Sequence, residues 1–289
     1  MSATSRTPAR HSTWWASVVP KSDDHPNVDA SALLFLDFDG VVCDSEAECF
    51  ASSWLTWHEH FAPPPPDRVA RALRQRFRAL RPLISSGEDY VLIQQLIAAE
   101  QDGGDAFPAD QATFDNARKE TGPELMGAYK TTLAETRGAF INGRKAQWLR
   151  LNPLYPHVRD LLVAAGDLGR VRILSTKAPQ LIEAILHAAG IHLTASSIVY
   201  APSRPGGHDA RKLELIEDEL QRSALDAAVF VEDQFEHLVG PSRFPVRRLL
   251  CDWGYALPAL LADGDLLAGH EVSRVSAGDF AALMTRVTG

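Results

Sequence analysis

Two carboxylates stand two residues apart in Asp37-Phe38-Asp39-Gly40, directly behind the apolar run Leu33 to Leu36. Acids this close repel each other in an apolar setting, so the pair calls for a cation beside it and offers a group for acid-base work. Mg²⁺, a hard ion that takes oxygen ligands, fits that need. Gly40 frees the chain to turn beside a bound phosphate. Taken alone, Asp-x-Asp-Gly reads equally well as a turn after a strand. A second acidic pair, Glu232-Asp233, closes the run Val229 to Val231. Adjacent acids are poor structural choices at the end of a buried strand, and side-chain alternation lets one bind a metal while its neighbour acts through the turn or through water.

These residues need elements that hold them in register. Leu33 to Asp37 is an apolar run of the kind buried on both faces of a parallel sheet, and similar runs recur at Val171 to Ser175, Ser197 to Tyr200, Ala227 to Glu232 and Val246 to Cys251. Amphipathic stretches at Pro179 to Ala189, Ala210 to Arg222 and Phe235 to Val239 separate several of them. Strand alternating with helix predicts an α/β fold, a doubly wound, Rossmann-like parallel sheet that binds ligands at the carboxyl ends of its strands. Between Ser45 and about Asn152 the strand-like runs vanish and helical periodicity takes over, which predicts an inserted all-helical domain at 46–152, with the α/β core at 31–45 and 153–289. Ser45-Glu46-Ala47-Glu48 has the pattern of a capping box, Pro63 to Pro66 a stiff break, and Asp67 the start of a second helix. On that helix Val69, Leu73, Phe77 and Leu80 share one face, and Arg71, Arg74, Arg78 and Arg81 fall on the other; such a stripe can steer anionic substrates, but a solvated face is the better reading.

Composition narrows the field. The chain has 289 residues, 45% apolar and 23% charged, with a formal charge of -8. It is long enough to bury a core without staples. It lacks the basic footprint that nucleic acid or an anionic membrane surface requires, and its apolar stretches are too broken for a membrane span. Cys43, Cys49 and Cys251 cannot all pair and show no metal-ligand spacing, so a reducing, cytoplasmic setting is the expectation. Residues 1–30, rich in Ser, Thr and Pro, read as a flexible tail. Arg6 and Arg10 give it some character of an organelle transit peptide, against which stand Asp23, Asp24 and Asp29.

The ordered set of motifs resembles the haloacid dehalogenase-like hydrolase superfamily. Asp37-Phe38-Asp39-Gly40 matches its first motif. Val171 to Ser175, followed by Thr176-Lys177, matches the second, a strand ending in Ser or Thr, and Pro179 behind it suits a helix start whose N–H groups assist anion binding. Lys212 matches the third, a lysine at the start of a later helix, although the commoner Lys-Pro form is absent and Arg204 and Arg211 lie close by. Val229 to Asp233 matches the fourth, and Cys251 to Tyr255 a late strand-to-loop segment. The resemblance implies a phosphatase in which Asp37 attacks phosphorus and forms an aspartyl-phosphate, with Asp39 as general acid and then base. Ser175 and Lys212 would stabilise charge, and Gly40, Thr176 and Lys177 would line the substrate. Mg²⁺ would be held by Asp37, the Asp39 carbonyl and Asp233, with Glu232 supporting. It also implies a helical cap over the site and a small phosphorylated metabolite as substrate. A phosphomutase, a phosphonate-cleaving enzyme and a catalytically silent phospholigand-binding scaffold are the alternatives. Dehalogenation fits less well, because it needs neither Asp39 nor the acidic set.

Overall fold

The computed structural model describes residues 31–61, 70–84, 86–101, 110–202 and 211–288. The flanking tail 1–30, the proline run, the start expected near Asp67, and Arg204 lie outside them. Six parallel strands, β1 (Leu33–Leu36), β2 (Val171–Ser175), β3 (Ile198–Tyr200), β4 (Ala228–Glu232), β5 (Val246–Cys251) and β6 (Val272–Val275), form one sheet in the order β3-β2-β1-β4-β5-β6. β2 and β3 extend the sheet on one side of β1 and β4 to β6 on the other, so the order reverses between β1 and β4 and the crevice of a doubly wound sheet opens at the carboxyl ends of those two strands. Leu34 pairs with Val171 on one side and Val229 on the other, which brings the segments after β1, β2 and β4 to one edge.

Alternation along the strands decides the layers. Leu34, Leu36, Val229 and Val231 point to a face covered by α5 (Pro156–Ala164), α6 (Pro179–Ala188) and α10 (Ala277–Thr288). Leu33, Phe35, Ala228 and Phe230 point the other way, onto Leu213, Ile216 and Leu220 of α7 (Arg211–Ser223). Two short helices, α8 (Pro258–Ala262) and α9 (Gly264–Gly269), lead into β6, an edge strand whose two central residues are exposed. Its four residues carry too little periodicity to be read from sequence. Phe235 to Val239, expected as a helix, forms only a 3-10 turn over Phe235–His237.

Between β1 and β2 the chain makes α1 (Glu46–His60), α2 (Ala70–Leu80), α3 (Gly87–Gln101) and α4 (Gln111–Arg150). Leu73, Phe77, Val91, Phe114, Tyr129 and Leu133 close a separate apolar cluster among these helices. α4 is interrupted at Gly122-Pro123, where Gly122 has φ 79°, and again at Arg144. Proline removes a helical donor and its ring crowds the preceding turn, which accounts for the first break. Phe140 and Trp148, late in α4, pack with the sheet's own cluster. The two connecting segments run side by side: Asp44 N–H donates to the Pro153 carbonyl, and Tyr155 N–H to the Val42 carbonyl.

The capping box does not form. Ser45 makes no side-chain cap, and Glu46 N–H instead donates to the Tyr255 hydroxyl at 3.0 Å. Glu48 is drawn away because Arg137 on α4 takes both its oxygens, at 2.8 and 3.1 Å. The arginine stripe also divides. Arg74 is half exposed and pairs with Glu46, whereas Arg81 is buried. The α-helix ends at Leu80, and Pro82 starts a 3-10 turn over Arg81–Leu83 that turns Arg81 off the solvent face.

Candidate active site

Asp37 follows β1 directly, and its N–H donates to the Val231 carbonyl at 3.0 Å, which fixes it against the end of β4. Lys212, from the first turn of α7, is buried and donates to Asp37 Oδ1 at 2.8 Å and Glu232 Oε2 at 2.6 Å. The fold thus brings Lys212 and Asp37 into direct contact. Glu232 is spent on protein partners: its Oε1 accepts the N–H groups of Asp233 and Gln234, and His237 Nδ1 lies 3.2 Å from its Oε2. Lys212 and His237 hold its carboxyl well below the usual range, against the opposing pull of burial.

Asp233 is in a different state. Its Oδ2 accepts the Tyr255 N–H at 3.0 Å, while its Oδ1 is buried with no hydrogen-bond partner among the described residues. Asp37, Glu232 and Asp233 each offer an oxygen within 4.8 Å of the others. Burial and the Glu232 and Asp37 charges push the Asp233 carboxyl well up. Burial and Glu232 likewise push Asp37 up to about 6, although Lys212 opposes them. Crowded carboxylates that would rather hold protons, one with an orphaned oxygen, make a set that a hard divalent cation would complete. The chemistry of Asp37, Glu232 and Asp233 fits a hard cation such as Mg²⁺, for which Asp37 and Asp233 have the less committed side-chain oxygens.

Two glycines allow this close approach. A Cβ on Gly40, where φ is +100°, would sit 2.0 Å from Asp233 Oδ2, and one on Gly254 would meet the Gly40 carbonyl at 2.4 Å and Asp233 Cβ at 2.6 Å. The Gly40 turn brings the chain up to Asp233; no phosphate-facing role is required to explain it.

Asp39 turns away from the acidic cluster. Lys177 Nζ donates to its Oδ1 at 2.7 Å and, together with the Ser45 hydroxyl, keeps its carboxyl below the ordinary value although burial pulls the other way. Any contribution of Asp39 to a metal would come from its main chain. Lys177 is itself buried, 5.5 Å above the Phe38 ring, with its proton held more tightly by Asp39 and Glu48 despite burial. The Ser175 hydroxyl accepts the Lys177 N–H at 3.2 Å, which leaves its own proton free to donate. Thr176 is exposed at the same edge.

Asp37 and Asp39 behind β1, Ser175 at the end of β2 and Thr176 and Lys177 behind it line one cavity of about 530 Å³ with Lys212. Its other wall comes from the helical segment, including Arg81, Ser86, Tyr90, Leu133 and Ile141. Gln234 ties the two walls by donating to the Ile84 carbonyl at 2.6 Å. Arg81, Gln234, Gly254 and Tyr255 were not legible as site residues. Gly254 and Tyr255 fall in the late strand-to-loop match Cys251 to Tyr255, Arg81 falls in the arginine stripe with a proline directly behind it, and Gln234 carried no signal.

No family model and no curated protein matches the chain. Solved structures do. A haloacid dehalogenase-like family hydrolase from Streptococcus pneumoniae is 18% identical, with 88% of this chain and 98% of that one covered at a TM-score of 0.50. A predicted phosphoglycolate phosphatase from Haemophilus somnus is 15% identical, with 87% and 96% covered at a TM-score of 0.54. Six parallel strands in this order, helices on both faces and a helical excursion after β1 therefore give this chain the fold of the haloacid dehalogenase-like hydrolases.

Proposed function

We propose that the protein is a Mg²⁺-dependent phosphatase acting on a small phosphate monoester, with Asp37 as nucleophile. One observation carries the reading: Asp37 is pinned by Lys212 at the carboxyl end of β1, beside the orphaned oxygen of Asp233 and two residues from an acid that faces the same cavity. The names of the two structural neighbours, a hydrolase and a phosphatase, agree with it.

In this reading an Asp37 oxygen attacks phosphorus as the bond to the leaving oxygen breaks, giving an aspartyl-phosphate. Lys212 neutralises charge between Asp37 and the phosphoryl oxygens, and the Ser175 hydroxyl donates to one of them. Asp37 and Asp233 would hold Mg²⁺, which when bound would add to the neutralisation of phosphoryl charge. Asp39 delivers a proton to the leaving oxygen and afterwards takes one from the attacking water. Its pairing with Lys177 keeps Asp39 ionised until phosphoryl oxygens compete for that ammonium, which raises the affinity of Asp39 for the proton it must hand over. Residues 46–152 act as a cap that excludes water and selects the leaving group.

The test is phosphate release from a panel of phosphorylated metabolites and para-nitrophenyl phosphate, with and without Mg²⁺. Asp37→Asn should keep the fold and lose both turnover and acid-stable radiolabelled phosphoenzyme. Ordinary turnover by that variant, or by wild type in excess chelator, would refute the reading.

A further inference from the structure

The chain behind β5 crosses from the sheet to the helical segment between Trp253 and Leu257. At the near end Trp253 Nε1 donates to the Val41 carbonyl at 3.0 Å, in the turn behind β1. Gly254 then passes at backbone contact with the acidic cluster, since a Cβ there would meet Asp233 Cβ at 2.6 Å. Tyr255 makes contacts in three directions. Its N–H donates to Asp233 Oδ2 at 3.0 Å, its hydroxyl donates to Asp44 Oδ1 at 2.8 Å and accepts the Glu46 N–H at 3.0 Å at the start of α1, and its ring centroid lies 4.0 Å from the Arg81 guanidinium carbon. At the far end Leu257 packs against the apolar cluster of the helical segment. Gln234, the residue after Asp233, reaches the same wall through the Ile84 carbonyl.

Asp233 is the member of the cluster whose position depends on a cation. Asp37, Glu232 and Asp233 have oxygens within 4.8 Å of one another, and like charges so close repel. Lys212 donates to Asp37 and Glu232 and holds both. For Asp233 the donor is the Tyr255 N–H, and Oδ1 has no partner among the described residues. Because Gly254 leaves no space beside it, an Asp233 pushed back by its neighbours must move residues 253–257 with it. A divalent cation shared by Asp37 and Asp233 cancels that repulsion and fixes the acceptor on which Tyr255 hangs.

We propose that residues 253–257 link the metal site to the helical segment, with Tyr255 as the positioning residue: a divalent cation at Asp233 holds the start of α1 and the turn at 81–84 against the sheet. The converse follows by linkage, since loosening those contacts weakens metal binding by the same factor. The inference rests on the metal part of the reading above and is independent of the phosphoryl chemistry.

The experiment follows hydrogen exchange of the full chain by mass spectrometry, with Mg²⁺ and with chelator, and measures Mg²⁺ affinity by calorimetry. In wild type, Mg²⁺ should slow exchange in peptides spanning 46–52 and 80–84 by about 5-fold or more, the lower end of coupling between sites. Tyr255→Phe keeps the ring and the N–H to Asp233 but loses both hydroxyl bonds. The slowing at 46–52 should then disappear, that at the end of β4 should remain, and the Kd for Mg²⁺ should rise by about 5-fold or more. Asp44→Ala, which removes the hydroxyl's acceptor and leaves Tyr255 itself unchanged, should act in the same direction, and it decides the matter should Tyr255→Phe fail to fold. A merely structural Tyr255 would instead speed exchange equally with and without Mg²⁺ and leave Kd at the wild-type value. That result overturns the link, as does wild-type protein that binds the ion with no slowing at 46–52 and 80–84. The readings fail separately. Exchange and affinity as expected with no ester hydrolysed removes the phosphatase reading alone; Mg²⁺-dependent phosphate release without the slowing removes the link alone. Absence of any Mg²⁺ binding removes the metal assignment and the link together.

Discussion

Asp39 and Gly40 show how much one position can decide. An alkyl phosphate leaves as a strongly basic alkoxide and needs a proton in the transition state, whereas para-nitrophenolate leaves without one. Asp39→Asn should therefore nearly stop phosphoenzyme formation from an alkyl ester, yet give a burst of nitrophenol followed by stalled phosphoenzyme. General acid-base help is worth about 10²- to 10⁴-fold. Rapid-quench traces of both esters check this, and equal losses with no burst would remove Asp39 from the acid-base role. Gly40→Ala tests the packing behind the acids. Its φ of +100° strains any side chain, by about 1–3 kcal/mol, and the new methyl would overlap Asp233 Oδ2. Denaturant unfolding should register the lost stability and a Mg²⁺ titration the displaced Asp233; a variant normal in both would show that the turn yields at no cost.

Among the elements, α1 and α4 are joined by the buried Glu48–Arg137 pair, with Ser52 also donating to Glu48 at 2.6 Å. Breaking such a pair from one side leaves the other charge stranded, so Glu48→Gln should cost about 3 kcal/mol. Burial pulls the Glu48 carboxyl up, but Arg137 outweighs it and leaves the net value below the ordinary 4.5. The sign follows: the stabilisation is complete above about pH 4.5 and is lost as pH falls through the lower, folded-state value. Thermal melts followed through the fluorescence of Trp54 and Trp57 on α1 should show an acid limb in wild type that is shallower in Glu48→Gln. Parallel limbs would mean that other acids carry it. The same helices show where sequence reasoning stops. The apolar face of α2 was legible because Leu73, Phe77 and Leu80 recur at helical spacing, but Arg81 shares the stripe's spacing only as long as the helix continues. Pro82 ends it and changes which way the residue faces.

For the molecule as a whole, the acidic cluster sets the balance between metal and stability. The raised Asp37 and Asp233 carboxyls mean that without metal the folded state is penalised as pH rises from the ordinary 3.8 through about 6 for Asp37, with Asp233 raised in the same direction. A cation that needs both acids ionised binds more tightly over the same range. At about 100 times its Kd, Mg²⁺ should add about 2.7 kcal/mol at neutral pH and progressively less toward pH 5. Melting temperatures with Mg²⁺ and with chelator across that range measure the increment, and an increment that did not change with pH would contradict the ligand assignment.

The order of elements, the parallel sheet and the identity of the acids were written in local pattern. Apolar runs ending in Asp37, Ser175 and Glu232 state both a buried strand and what stands at its carboxyl end, and strand pairing then leaves little freedom in where those ends meet. The Lys212 contact was legible only through the motif order, since 175 residues separate it from Asp37. What each charge does was decided in three dimensions. Whether Glu232 or Asp233 is left open depends on which one Lys212 and the Asp233 and Gln234 N–H groups occupy, and the ring that Arg81 lies over, Tyr255, comes from the far end of the chain. Sequence spacing specifies the direction of a side chain along its own element; its partners come from other elements, and only their packing selects which charges are matched and which are left for a ligand.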